Sequence, residues 1–138
     1  KVDAQSINGA GAAGGMGIAS KVFLNGNLKP GIELIKELAN FDKLIAGADW
    51  VISGEGKLDA QTLSGKTIHG ILTSLKETTT KLAVFCGMIE LEKHAINDLG
   101  ISYSASIMDN ASDLKDALGN TKNYLKNIAV AFAKHTMN

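Results

Sequence analysis

The stretch Asp49-Trp-Val-Ile-Ser-Gly-Glu-Gly-Lys-Leu-Asp-Ala-Gln-Thr-Leu-Ser-Gly-Lys-Thr67 decides the fold. Trp50, Val51 and Ile52 form a short apolar run of strand type, which empties from Ser53 to Asp59 into a loop of glycines, carboxylates and lysines. Leu63, Ile68, Ile71, Leu72 and Leu75 then recur at helical spacing, with Ser64 placed to cap the helix and Lys66 near its start. Glycines let backbone N–H groups approach an anion, Glu55 and Asp59 are hard oxygen donors, and Lys57 and Lys66 add compact positive charge. The stretch therefore reads as a strand, a site for phosphate and a divalent metal, and a helix.

Downstream the same alternation repeats. Leu82 to Phe85 is a continuous apolar run ending at Cys86 and Gly87, as expected of a strand buried on both faces. Ile89 to Leu99 returns to helical spacing, and Gly100 to Ile107 alternates apolar with small polar residues as a strand nearer an edge does. Ala111 to Leu118 and a longer amphipathic run through Tyr124, Leu125, Ile128, Phe132 and Ala133 close the chain. Strand, helix, strand, helix, strand, helix implies an α/β fold: a parallel sheet covered by helices, three-layer and Rossmann-like. Ligands of such sheets sit beyond the carboxyl ends of the strands, where the Ser53 to Asp59 loop and the turn at Gly87 fall.

Upstream the pattern differs. Gly9-Ala-Gly-Ala-Ala-Gly-Gly-Met-Gly17 leads into Ile18, Ala19, Val22, Phe23 and Leu24 at helical spacing, and Asn25-Gly26-Asn27 stops that helix. Pro30 sits where a first helical turn accepts it, ahead of Ile32, Leu34, Ile35 and Leu38. No strand is evident before about residue 46, so this segment reads as part of another domain.

Composition bounds the function. With 138 residues, 45% hydrophobic and 20% charged, the chain is of ordinary globular type. Fourteen basic residues balance fourteen acids, which leaves no electrostatic footprint for nucleic acid or an anionic membrane. All fourteen basic side chains are lysine, so a bidentate guanidinium clamp is absent and anions must be met by lysines, backbone amides and metal. Cys86 is the single cysteine and reads as a core thiol, and no run of 18 apolar residues occurs; a cytoplasmic protein is expected. A start at Lys-Val-Asp with a glycine loop so soon after it suggests a fragment of something longer.

Two familiar motifs fail. Gly9-Ala-Gly-Ala-Ala-Gly14 has the dinucleotide fingerprint's glycines but neither the preceding strand nor the trailing acid, so close backbone packing or a loop around an anion is the better reading. Ala60 stands where a Walker loop before Gly65-Lys66-Thr67 needs its first glycine, which leaves Lys66 as a phosphate ligand or a solvated lysine. Glu55 and Asp59 either converge on one magnesium ion, act as metal ligand and base, or are two solvated acids. His69, His94 and His135 read as packing or surface residues, and no cysteine or histidine cluster has zinc spacing.

Three motifs in order, Gly9 to Gly17, Lys29-Pro-Gly-Ile-Glu-Leu34, and Ala48 to Thr62 with Gly65-Lys66-Thr67, closely resemble the C-terminal part of bacterial type I glycerate kinase (the glycerate 2-kinase family). The resemblance implies two interleaved α/β domains: residues 1–40 as the C-terminal piece of an inserted second domain, and 41–138 as the C-terminal part of the main Rossmann-like domain. It implies transfer of the γ-phosphoryl of ATP to D-glycerate, giving phosphoglycerate, mostly the 2-isomer, with Mg2+. The partner it implies is the missing N-terminal part of the same enzyme, with neither nucleic acid nor membrane, and a homodimer is allowed. Carried over by position, Glu55, Asp59 and Lys66 are the catalytic candidates, and Glu55 and Asp59 the metal ligands. Gly11, Gly14, Gly15, Gly54, Gly56 and Lys57 bind substrate or phosphate. Asn8, Ile68 and Met88 depart from the family's usual proline, proline and serine, and Met88 puts in doubt any hydroxyl contact at the strand-end turn. The rival is a non-catalytic fragment or a small module binding an acid or nucleotide without turnover.

Overall fold

The computed structural model describes Asp3, residues 6–60 and residues 66–137, the side chain of Lys66 excepted. The chain forms two compact units, Lys1–Phe41 and Asp42–Asn138.

In the first unit, α1 spans Ala12–Leu24 and α2 spans Gly31–Leu38. The glycine run does not enter α1 smoothly: Ala13, Gly14 and Gly15 all have positive φ (50°, 65° and 95°), a turn that glycine adopts at little cost, and regular helix comes after it. Asn25 ends α1 in the left-handed conformation at φ 53°. Gly17 has a tighter requirement, since a Cβ there would lie 2.3 Å from the Gly9 carbonyl oxygen. Close backbone packing thus accounts for part of this glycine run, as its sequence suggests.

The short helix α3 (Phe41–Leu44) starts at the last residue of the first unit, and the second unit then alternates β1 (Trp50–Leu58), α4 (Lys66–Leu75), β2 (Lys81–Ile89), α5 (Lys93–Asp98), β3 (Ile101–Ser106), α6 (Leu114–Gly119) and α7 (Thr121–Thr136). The three strands pair in parallel in the order β1-β2-β3, which is the α/β architecture expected. Ser64 and Leu63, read as the cap and first apolar position of α4, lie outside the described residues.

The strands run further than their apolar segments. The ladder pairs Val51 with Leu82, Gly54 with Phe85, Glu55 with Cys86 and Lys57 with Met88, and Glu90 N–H closes it on the Leu58 carbonyl at 2.8 Å. The loop expected from Ser53 to Asp59 is therefore strand as far as Leu58, and the turn expected at Gly87 lies inside β2. The cause is tertiary: β2 offers ladder partners to Gly54, Glu55 and Lys57, and so holds the segment extended whatever its glycines prefer.

Side chains of successive strand residues alternate between faces. Ala83 and Phe85 join Ile107, Ala117, Ile128 and Phe132 in one core layer beneath α6 and α7. Phe132 is its centre, edge-on to Trp50 with ring centroids 5.0 Å apart, and 5.5 Å from Phe85 and 5.0 Å from Tyr103. The alternate set Leu82, Val84 and Cys86 is buried too, as are Ile68, Ile71 and Leu75 of α4 and Ile96 of α5. Leu72 lies against Gly100, which precedes β3 at φ 90°.

Candidate active site at the strand carboxyl ends

β1 presents two surfaces at its carboxyl end. Trp50 faces the α7 layer, so by alternation Ile52, Gly54 and Gly56 face the same way. There they border an open cleft of about 880 Å³, whose other walls include Phe85, Ile107 and Met108 from the sheet side and Leu114, Leu118 and Leu125 from α6 and α7. Gly87 belongs to this floor as well, and a Cβ on it would stand 2.6 Å from the Gly56 carbonyl oxygen. Bare backbone on one side and aliphatic side chains on the other make the cleft predominantly apolar.

Glu55 and Lys57 have the opposite parity, although both also border the cleft. Glu55 lies beside Cys86, which lies beside Ser106, forming one row across the three strands. Ser106 is buried, and its N–H donates to the Asp109 carboxylate at 3.2 Å while the Asp109 N–H donates to the Ser106 hydroxyl at 3.2 Å. Burial, reinforced by the negative charges of Asp109 and Glu55, pushes the Cys86 thiol up to about 11. Its Sγ–H donates to the Ala105 carbonyl at 3.6 Å, so Cys86 is the core thiol its apolar neighbours suggested.

Lys57 is the electrostatic centre of the strand end. Its ammonium lies 2.7 Å from a Glu90 carboxylate oxygen and 3.7 Å from one of Asp59. The hydrogen bond to Glu90, with the charges of Glu90 and Asp59, raises its pKa above the ordinary lysine value and keeps it cationic. Glu90 escaped the sequence reading because it lies beyond a different strand; its only signal is a carboxylate just past a strand end, a signal many surface acids share.

The two carboxylates singled out by sequence are brought to the same strand end in different states. Asp59 lies within ion-pair distance of Lys57, whereas the Glu55 carboxylate makes no hydrogen bond or ion pair among the described residues. Glu55 lies within β1 and Asp59 just past its last residue, Leu58, so the segment from Glu55 to Leu58 is extended strand and not the loop expected there. Among the described residues no group of three acid, histidine or cysteine side chains is gathered closely enough to hold a metal by itself. Magnesium commonly takes one or two carboxylates and completes its shell with water and phosphate oxygens, and Glu55 fits that limited role. The Lys66 side chain lies outside the described residues. Gly11, Gly14 and Gly15 lie in the first unit, where a Cβ on any of them would meet nothing within 4 Å. Among the described residues no helix is long and apolar enough to cross a membrane.

The comparison with known proteins turns on the whole chain. The glycerate kinase family model matches residues 1–137. The chain belongs to the glycerate kinase family. A glycerate kinase of Bacillus subtilis is 36% identical over 125 residues, which is 91% of this chain and 33% of that protein. A glycerate 2-kinase of Escherichia coli is 33% identical over 116 residues, covering 84% of this chain and 30% of its own. A solved glycerate kinase 2 from Salmonella typhimurium LT2 superposes with a TM-score of 0.65 at 30% identity, over 99% of this chain and 36% of that one. The chain thus spans about a third of the length of the curated relatives it matches.

Proposed function

We propose that this chain forms one wall of the active site of an enzyme that phosphorylates D-glycerate with ATP, giving 2-phosphoglycerate. The observation that carries the reading is the gathering of Lys57, Asp59 and Glu90 at the carboxyl end of a parallel sheet, with Glu55 two residues before Lys57 on the same strand and a cleft beside them, in a chain of the glycerate kinase family. In this reading residues 1–40 complete a second, inserted α/β domain and residues 41–138 the main one.

Phosphoryl transfer asks a protein to position reactants and to offset charge. An acceptor hydroxyl of glycerate attacks the γ-phosphorus, the bond to the β,γ-bridging oxygen breaks, ADP leaves, and the hydroxyl proton passes to a carboxylate. Glu55 and Asp59 are assigned to proton acceptance and metal binding, with uncommitted Glu55 the better suited to hold a metal. Glu55 would hold Mg2+, which would supply positive charge to offset that of the phosphates. Lys57 supplies a fixed positive charge, tethered by Glu90, towards phosphate or the glycerate carboxylate. Lys66 would meet phosphate from the start of α4, and the Gly11, Gly14 and Gly15 turn offers backbone amides to an anion.

The test is a coupled assay for ADP release with MgATP and D-glycerate, run on the chain alone and together with the N-terminal two-thirds of the Bacillus subtilis glycerate kinase. D-glycerate-dependent ADP release is expected in the complemented sample. In that sample Asp59→Asn should lower turnover by roughly a hundredfold, the usual weight of a general base or metal carboxylate; near-normal turnover would remove Asp59 from the chemistry. Binding of ATP or glycerate without any release of ADP would favour a module that binds and does not turn over.

A further inference from the structure

The glycines at 54 and 56 differ from Gly87 in one respect. A Cβ on Gly87 would strike the Gly56 carbonyl oxygen at 2.6 Å, so the pairing of β1 with β2 requires glycine there. A Cβ on Gly54 would meet nothing nearer than the Phe85 carbonyl oxygen at 3.8 Å, and one on Gly56 nothing within 4 Å. Neither has positive φ. Glycine weakens a strand interior, yet at these two positions neither packing nor backbone conformation calls for it. Both open onto the cleft of about 880 Å³.

The chemistry of the cleft narrows what fills that space. Opposite the bare strand stand Leu114, Leu118 and Leu125, each exposed by 42% or more. D-glycerate carries an oxygen on every carbon, and a phosphate is oxygen throughout its surface. Either would lose its hydration along this aliphatic wall, since the polar side chains of the lining, Ser53, Glu55, Lys57, Glu90 and Thr121, are few beside its apolar ones. A nucleobase has flat apolar faces and polar edges, and it can lie on backbone where side chains are missing. Sites for ligands of nucleotide size have volumes on the order of 300–1,000 Å³ and mostly apolar walls. Lys57 and Glu90 also line the cleft, which puts a cation at the strand ends for attached phosphates.

We propose that this cleft seats the nucleobase of the phosphoryl donor, an adenine ring, on the bare backbone of Gly54 and Gly56 and against Leu114 and Leu118. The proposal rests on the kinase reading and assigns its donor site. Glycerate then lies outside the cleft.

The experiment titrates the isotopically labelled 138-residue chain with adenosine and, separately, with inorganic tripolyphosphate, followed by amide and methyl NMR shifts. Adenosine should shift Gly54, Gly56, Met108 and Leu118, while tripolyphosphate should leave the Leu118 methyls unmoved. Gly56→Val should weaken adenosine binding by about tenfold or more through overlap with the ring, without lowering the thermal midpoint. If that midpoint falls, Gly54→Ala serves in its place. Unshifted cleft resonances, or equal adenosine binding by the folded variant, would overturn the proposal. So would a cleft filled by another polypeptide segment, seen as cleft shifts on adding the N-terminal two-thirds of the Bacillus subtilis enzyme that adenosine cannot reverse. Adenosine binding without transfer to D-glycerate in the complemented sample would instead count against the kinase reading, and transfer in that sample without adenosine at the cleft against this site alone.

Discussion

Gly87→Ala and Gly56→Ala are one chemical change at neighbouring places in the sheet, and the structure gives them opposite outcomes. At Gly87 the new methyl would sit 2.6 Å from the Gly56 carbonyl oxygen and 3.6 Å from its carbon. That oxygen belongs to the paired strand, so β1 and β2 must separate by several tenths of an ångström or the ladder must bend. Overpacking of this kind costs about 1–3 kcal/mol. Against it stands a gain of about 0.4–1 kcal/mol from the narrower unfolded ensemble of alanine, available because φ at Gly87 is not positive. The net expectation is a loss of about 1–2 kcal/mol. At Gly56 only the gain applies, so the variant should match the wild type or exceed it by up to about 1 kcal/mol. Urea unfolding followed by fluorescence of Trp50, the chain's single tryptophan and a member of the second unit's core, measures both. A difference between the two variants under about 0.5 kcal/mol, or of reversed sign, would refute the close approach of the strands at Gly87.

Phe132→Ala removes the ring that Trp50, Phe85 and Tyr103 all touch, and should cost about 3–5 kcal/mol in the same urea titration, which for a marginal domain approaches complete unfolding. Cys86 should resist alkylation by iodoacetamide at pH 8 until the protein unfolds, because burial holds its thiol neutral up to about 11. An acid with a raised folded-state pKa contributes its stability fully below its unfolded value near 9, and that contribution is lost as pH rises towards about 11. Asp116 behaves inversely. The Tyr124 hydroxyl first, then Ser112 and Asn120, hold its carboxyl down at about 2, so its contribution is present above about pH 4 and lost as pH falls towards about 2. Asp116→Asn should flatten that part of an acid titration followed by circular dichroism.

What could be read in the sequence was whatever depends on near neighbours. The apolar stripe of Ile68, Ile71 and Leu75 and the run Leu82 to Phe85 are buried as their spacing requires, and Thr121–Thr136 is the long final helix. Asn25 stops its helix in the left-handed conformation that its type favours. Misread segments are those whose state is set from a distance. Gly54, Gly56 and Gly87 have loop-like preferences, but each lies inside a strand whose neighbouring residues pair with another strand. Ile89 stands at helical spacing with the residues up to Leu99 and yet ends β2, which leaves α5 only six residues. The tether from Lys57 to Glu90 joins residues that only a folded sheet brings together, and the difference between Asp59, paired with Lys57, and Glu55, which has no such pair among the described residues, is likewise invisible without it.

The far wall of the cleft rests on an unusual footing. Leu114 and Leu118 belong to α6, a helix of six residues, too short to persist through its own hydrogen bonds. Asp113 caps it by accepting from the Asp116 N–H at 2.8 Å, and the Asp116 carboxylate accepts from Ser112, from Asn120 at 2.8 Å and from the Tyr124 hydroxyl on α7 at 2.6 Å. These bonds are exposed or partly so, which places the angle between α6 and α7 under the control of water-accessible polar groups. Acid or a substitution at Asp116 therefore releases α6 on its wet side only, and buried Ala117 still holds it to the layer around Phe132.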